Sequence, residues 1–312
     1  MKVRALAIVF CFTASLASAA DPQLLKLIMP DAKVVSGVDV GHVKTTPFGQ
    51  FFLSQFLANA DLSTLVGATG FDPRVDVSEI VMASPGDPKK KSALLAMRGN
   101  FNAARIVPLI QASGAKSETY NGIVLLTGMG GVSQALAFLD NTVVINGDPD
   151  SVRGAIDRRN STGTLPSELA DKIIQTSSNQ DAWVVSLTPL SALGAVAPDK
   201  NVRGALQGDI FKSIQQSSGA IRFGTAIEVS GELTSRSTAD ASSIADVLRF
   251  LLNLAQVNAP AGQAAQFASL LGKFTVTAEA NAVKLSGSIP EMDFEAALRS
   301  ASGKALRPGP KI

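Results

Sequence analysis

Hydrophobic positions along the chain alternate in strand-length runs and recur at helical spacing in the segments between, and this succession comes round twice. Val34-Val35-Ser36-Gly37-Val38-Asp39-Val40 has the β-branched, period-two character of a strand. Thr46-Pro47 follows, an N-cap residue and a first-turn proline, and opens a helix through Phe48, Phe51, Phe52 and Phe56. Farther on, Trp183-Val184-Val185-Ser186-Leu187 is again strand-like and Thr188-Pro189 again opens an apolar segment, 142 positions after the first Thr-Pro pair.

The offset persists to within one residue, at 141 or 142 positions. Ile80-Val81-Met82 corresponds to Ile221-Arg222-Phe223. Ala103, Ile106, Leu109 and Ile110 correspond to Ala245, Leu248, Leu251 and Leu252, and both sets occupy one face of a helix. The turn at Asp140-Asn141 corresponds to Asn281-Ala282. Strand Val143-Val144-Ile145 corresponds to Lys284-Leu285-Ser286, and Pro149 to Pro290 at the start of a last helix. Val152, Ala155 and Ile156 on that helix match Phe294, Ala297 and Leu298. The unit reads strand, helix, hairpin, helix, hairpin, helix. Short turns between strands favour antiparallel pairing, so the expected class is α+β: two tandem, related units of mostly antiparallel sheet with helices packed on one face. The copies part where Ile123-Val124-Leu125-Leu126 reads as a strand and residues 263–271 read as a helix.

These patterns divide the chain into a first unit at 21–160, a connecting segment at 161–178, a second unit at 179–303 and a disordered tail at 304–312. Residues 1–20 stand apart. Lys2 and Arg4 precede an uncharged apolar run, and Leu16-Ala17-Ser18-Ala19-Ala20 supplies small residues, the pattern of a secretory signal cleaved after Ala19 or Ala20. The run is too short to span a bilayer, and Cys11 sits inside it rather than at a lipidation site. An exported protein is therefore expected, periplasmic or extracellular, with no membrane span in the mature chain.

Composition narrows the chemistry. Cys11 is the only cysteine, so the mature chain would carry no thiol nucleophile, disulfide or Cys-bound metal. The whole chain has 28 basic and 26 acidic residues; without Lys2 and Arg4 the two balance. A chain of no net charge has little global attraction for nucleic acid, and no nucleic-acid partner is expected.

Pro30-Asp31-Ala32, Gly37-Val38-Asp39-Val40, Thr46-Pro47-Phe48-Gly49-Gln50, Phe71-Asp72-Pro73 and Ile145-Asn146-Gly147-Asp148 resemble a group of secreted bacterial proteins of unknown function. The resemblance covers most of the mature chain. It implies a bacterial, exported, two-part α+β protein and carries no catalytic residues with it.

Individual residues offer little reactive machinery. His42 is the only histidine and reads as a loop residue packing or capping the next helix. Ser113-Gly114-Ala115-Lys116 has the spacing of a serine–lysine pair, yet it follows a helix instead of opening one, and Gly114 suits a C-cap. Gly128-Met129-Gly130-Gly131 lacks the pattern of a phosphate loop and reads as a turn. Asp148-Pro149-Asp150 reads as an N-cap, a first-turn proline and a charge facing the helix dipole. Asp72, Asp76 and Glu79 read as solvated loop charges. With one Trp and one Tyr against 15 Phe, sugar platforms are scarce. No catalytic, cofactor-binding or metal-ligating residue is assigned, and no cofactor is expected.

Two contacts remain as candidates. Lys89, Lys90 and Lys91 form a compact basic run for an acidic partner or anionic headgroups. The helix from Ile244 to Val257 is apolar all round, so Phe250, Leu251 and Leu254 could line an apolar groove between the two units. The leading expectation is an exported non-enzymatic protein that binds a protein partner or supports an envelope assembly. The alternatives are a carrier or sensor of an apolar ligand held between the units, and a hydrolase using a serine or an acid pair.

Overall fold

The alternation read in Val34–Val38 extends, among the described residues, through twelve strands that hydrogen-bond into one antiparallel sheet, so the α+β class expected from the sequence is what the chain adopts. The structure is a computed structural model, and it describes residues 20–51, 62–87, 90, 92–128, 133–161, 165–189, 211–257 and 269–301. The strands are β1 (Val34–Val38), β2 (Val77–Ser84), β3 (Leu94–Gly99), β4 (Lys116–Tyr120), β5 (Ile123–Thr127), β6 (Ala135–Phe138) and β7 (Val143–Gly147). They continue as β8 (Ala182–Ser186), β9 (Ile214–Arg222), β10 (Ala226–Ser235), β11 (Phe274–Glu279) and β12 (Ala282–Pro290). Their order across the sheet is β11-β12-β10-β9-β8-β1-β2-β3-β7-β6-β5-β4.

Read outward from the centre, one half runs β1-β2-β3-β7-β6 and the other β8-β9-β10-β12-β11. The two halves thus share one topology, and they meet edge to edge through the antiparallel pair β1–β8. Among the described residues, the first half carries an extra hairpin, β4–β5, in the region where the two copies of the pattern part. Its two-residue turn, Asn121-Gly122, has φ of 47° and 79°, the left-handed values that a tight turn between twisted strands demands.

The helices are set by local signals already legible in the chain. Asp21 caps α1 (Pro22–Lys26), and its carboxylate accepts the Gln23 N–H at 2.7 Å. Asp39 caps α2 (Val40–Val43) in the same way, accepting from His42 N at 2.8 Å. Thr46 Oγ1 accepts the Gly49 N–H at 3.1 Å and so opens the next helix at Pro47, as the Thr-Pro pair implies. Its counterpart beyond Thr188-Pro189 lies outside the described residues. Next come α3 (Leu62–Thr69), α4 (Pro73–Asp76), α5 (Ala103–Ala112), α6 (Pro149–Arg158), α7 (Ser167–Ser177), α8 (Thr238–Val257) and α9 (Glu291–Ala301). Asp148 caps α6 with Pro149 in its first turn, while Ser113 and Gly114, with φ of 98°, end α5; both were expected.

The helices divide between the two faces. On the front face, Leu24 of α1, Val152, Ala155 and Ile156 of α6, and Leu169 and Ile173 of α7 bury Val35, Val81, Ala96, Ile145, Trp183 and Val185. On the back face of the second half, Ala241, Ile244 and Ala245 of α8 bury Val276 and Val283, while Phe294 of α9 packs on Ile289 and Leu270. Thus α6 and α9 occupy the same place in the two halves but cover opposite faces. The strand before each helix supplies the reason: β7 turns Val143, Ile145 and Gly147 forward, whereas β12 turns Val283, Leu285 and Ile289 back. Each helix goes where the sheet is apolar. The segment 161–178, expected as a connector, carries α7, which stands to β8 as α1 stands to β1 and covers the joint.

Candidate functional site

One row of directly paired residues crosses the front face from edge to edge: Glu118, Leu125, Ala137, Ile145, Ala96, Val81, Gly37, Trp183, Ala220, Ser230, Ser286 and Thr275. From Leu125 to Ala220 it is apolar and lies beneath α1, α6 and α7. At Ser230 its character changes, and Ser230, Ser286 and Thr275 are exposed. The neighbouring row makes the same change, from Val35 and Val185 to Ser218, Glu232, Lys284 and Thr277. Strict alternation in β10, β11 and β12 causes it, because the odd positions of β12 feed the back-face core and the even ones face forward.

This hydroxyl-lined floor is bounded on one side by the α7 end that carries Lys172, Gln175 and Thr176. A cleft of about 360 Å³ lies between those residues and Ser218, Ser230, Glu232, Lys284 and Ser286. A second, of about 380 Å³, adjoins it through Gln180, Ser230 and Ser286 and reaches Lys273, Thr275 and Ser288. The charges around both are locally matched. Lys172 pairs with Glu232, Lys273 with Asp293, and Arg222 with Glu228. Lys284 donates to Glu279 at 2.6 Å, a bond that lowers the carboxyl pKa and raises that of the amine. Each exposed pair contributes little by itself, so hydrogen bonds from hydroxyls and amides dominate what the floor offers.

Among the described residues, the carboxylates Glu232, Glu279 and Asp293 beside the floor are each paired with a lysine. His42, the sole histidine, lies instead at the joint, where its Nδ1 bonds the carboxylate of Asp181. Asp181 is buried and also accepts the Phe223 N–H at 2.5 Å, while its own carbonyl accepts from Asp39 N at 2.8 Å. Histidine and acid therefore come together, and the described residues place no serine on the ring. The pair ties α2 in one half to β8 and β9 in the other. Ser113 Oγ donates to Ile110 O at 2.7 Å as a helix-end hydroxyl, and Lys116 is on the exposed strand β4, so the serine–lysine spacing forms no catalytic pair. Among the described residues, no group of three or more His, Asp or Glu side chains could hold a metal ion.

The other sequence candidates are scattered. Lys90 pairs with Asp31 at 3.4 Å on the surface, while Lys89 and Lys91 lie outside the described residues. Phe250, Leu251 and Leu254 are 62%, 42% and 43% exposed on α8, which packs on its own half of the sheet. The expected groove between the units does not correspond to this place: where the halves meet, β1 and β8 are hydrogen-bonded neighbours, and α8 is on the back face of β10, β12 and β11. Residues 1–19, including Ala19 and Cys11, lie outside the described residues, as do Met129, Gly130 and Gly131; Ala20 is buried against the core. No helix among the described residues is long and apolar enough to cross a membrane.

Glu79 departs from the sequence reading. It is not a loop charge but a residue of β2, in the row of Val81 and Ala83 and opposite Arg98 of β3. Burial pushes its carboxyl up to about 7, with Asp21 and Asp39 adding repulsion and Arg98 and the Asp21 N–H opposing it. The signal was present: in Glu79-x-Val81-x-Ala83 the acid falls on the buried face of a period-two run.

No family model matches the chain, and no curated protein does. Among solved structures, crystal form III of TP0453 is similar, with a TM-score of 0.50 and 12% identity over 88% of this chain and 97% of that one. Crystal form I of TP0453 gives a TM-score of 0.47 and 13% identity over 91% and 98% of the two chains. At these identities the likeness is one of fold alone.

Proposed function

We propose that this is an exported, non-enzymatic protein that binds a protein partner through the hydroxyl-lined half of its sheet, in support of an assembly of the cell envelope. The observation that carries the reading is the change along a single row, from Trp183 and Ala220, both buried, to Ser230, Ser286 and Thr275, all exposed. A sheet face that no helix among the described residues covers, flanked by matched charges and dense in small hydroxyls, is suited to close approach and hydrogen bonding by another polypeptide. Export is supported by the signal-like residues 1–20.

The test is a photo-crosslinking amino acid placed at Ser286 in producing cells, with the same probe at exposed Val75 as reference. A discrete adduct specific to Ser286, weakened by Ser230→Arg on the neighbouring strand, is expected. Equal labelling at the two positions, or an adduct indifferent to Ser230→Arg, would defeat the proposal.

A further inference from the structure

The segment beginning at Ala20 is held more tightly than a tethered leader requires. Ala20 is 7% exposed, its methyl group forms part of the main core, and its N–H donates to Ser177 Oγ at 3.3 Å. Ser177 is itself buried and ends α7. One residue on, the Asp21 N–H donates to Glu79 Oε1 at 2.8 Å, and the Asp21 carboxylate pairs with Arg98 while capping α1. Four elements thus converge on two residues: α1, β2 and β3 of one half, and α7 of the other.

We propose that the chain is cut between Ala19 and Ala20, and that the α-ammonium so formed, seated on Ser177 and one peptide unit from the carboxylate of Glu79, fastens the amino terminus across the joint of the halves. In the cut, water supplied at a signal peptidase adds its hydroxyl to the Ala19 carbonyl carbon, the Ala19–Ala20 C–N bond breaks, and a proton passes to the leaving nitrogen. At neutral pH that amine takes up a further proton. Cleavage one residue later would remove the Ala20 methyl from the core and leave a hole, which selects the earlier of the two small-residue sites.

The charge balance supports the same arrangement. In the uncut chain Glu79 faces Asp21 from α1, Asp39 from α2 and Arg98 from β3, so the acids outnumber the cation around a half-buried carboxyl. A new positive charge beside it reverses that imbalance. The device stands independently of the partner-binding reading, since Ala20 and Glu79 are outside the hydroxyl floor.

Two measurements test it. Amino-terminal sequencing of the exported protein should begin at Ala20. Thermal melts should then compare the chain starting at Ala20 with the same chain acetylated at that nitrogen, which keeps the N–H and removes the charge. At pH 7 the acetylated form should melt roughly 2–4 °C lower, and the gap should close at a pH well above the ordinary range of an α-amine and in Glu79→Gln. Equal midpoints at pH 7, a gap that does not change with pH, or a mature chain starting elsewhere would overturn the proposal; the pH comparison serves even if Glu79→Gln fails to fold.

Discussion

Val35 of β1 stands directly opposite Val185 of β8, and both are fully buried beneath α1 and α7. The contact is the seam of the molecule. Each valine belongs to a different half, so the core is continuous through the joint, and neither half closes its own sheet edge there. Two residue pairs along, Gly37 faces Trp183, the only tryptophan of the chain.

Gly37→Ala should act on this seam. A Cβ there would fall 2.5 Å from Trp183 Cε2, far inside contact distance, and the indole is 6% exposed and has little room to retreat. A cost of about 1–3 kcal/mol is expected, together with a red-shifted Trp183 emission. Urea unfolding followed by fluorescence and by far-ultraviolet dichroism checks both. An unchanged midpoint would mean that the seam yields more easily than its packing implies.

Glu79 should make the uncut or acetylated chain sensitive to pH. Its carboxyl titrates at about 7 in the fold against an ordinary 4.5. Between those values the unfolded chain has released the proton while the folded chain still holds it. Stability is therefore highest below 4.5 and is lost as pH rises through 7, by about 1–2 kcal/mol once solvent access to the carboxyl is allowed for. Urea midpoints at a series of pH values should show this slope, and Glu79→Gln should flatten it. A Glu79→Gln chain with the same slope as the parent would assign the effect elsewhere.

Asp148→Ala should loosen two elements at once. The carboxylate accepts the Ser151 N–H at 3.0 Å as the cap of α6, and the Ala93 N–H, also at 3.0 Å, at the start of β3. Its hydrogen bonds hold its pKa down against the effect of burial. Loss of about 1–2 kcal/mol is expected, with Asp148→Asn recovering part of it. Thermal melts decide, and a loss no larger than that of an ordinary surface substitution counts against the dual role.

Arg249 protects an edge. From α8 its Nε and Nη2 donate to the Val276 carbonyl at 3.1 and 2.9 Å, occupying a backbone acceptor of β11, the outermost strand of the second half. Arg249→Met keeps the stem and frees that acceptor, so concentration-dependent association should rise, with little change in monomer stability. Light scattering on dilution series tests this; identical scattering of parent and variant would show the edge to be guarded by something other than Arg249.

Local order was legible in the chain because it rests on local causes. Asp148-Pro149, Thr46-Pro47 and Ser113-Gly114 each satisfy or end a helix through groups within a few residues, and the recurrence of the strand and helix runs carries the shared topology of the halves. The sheet's register, and with it every relation across the joint, was decided only by tertiary structure. His42 and Asp181 are 139 positions apart and Val35 and Val185 are paired strand neighbours; no periodicity relates them. The same holds for the hydroxyl floor. Alternation in β12 announces that Lys284, Ser286 and Ser288 share a face, but whether a helix covers it depends on which way the strand's apolar residues turn when β12 joins β10. A period of two fixes which residues travel together. Only burial against the rest of the molecule fixes which set meets water.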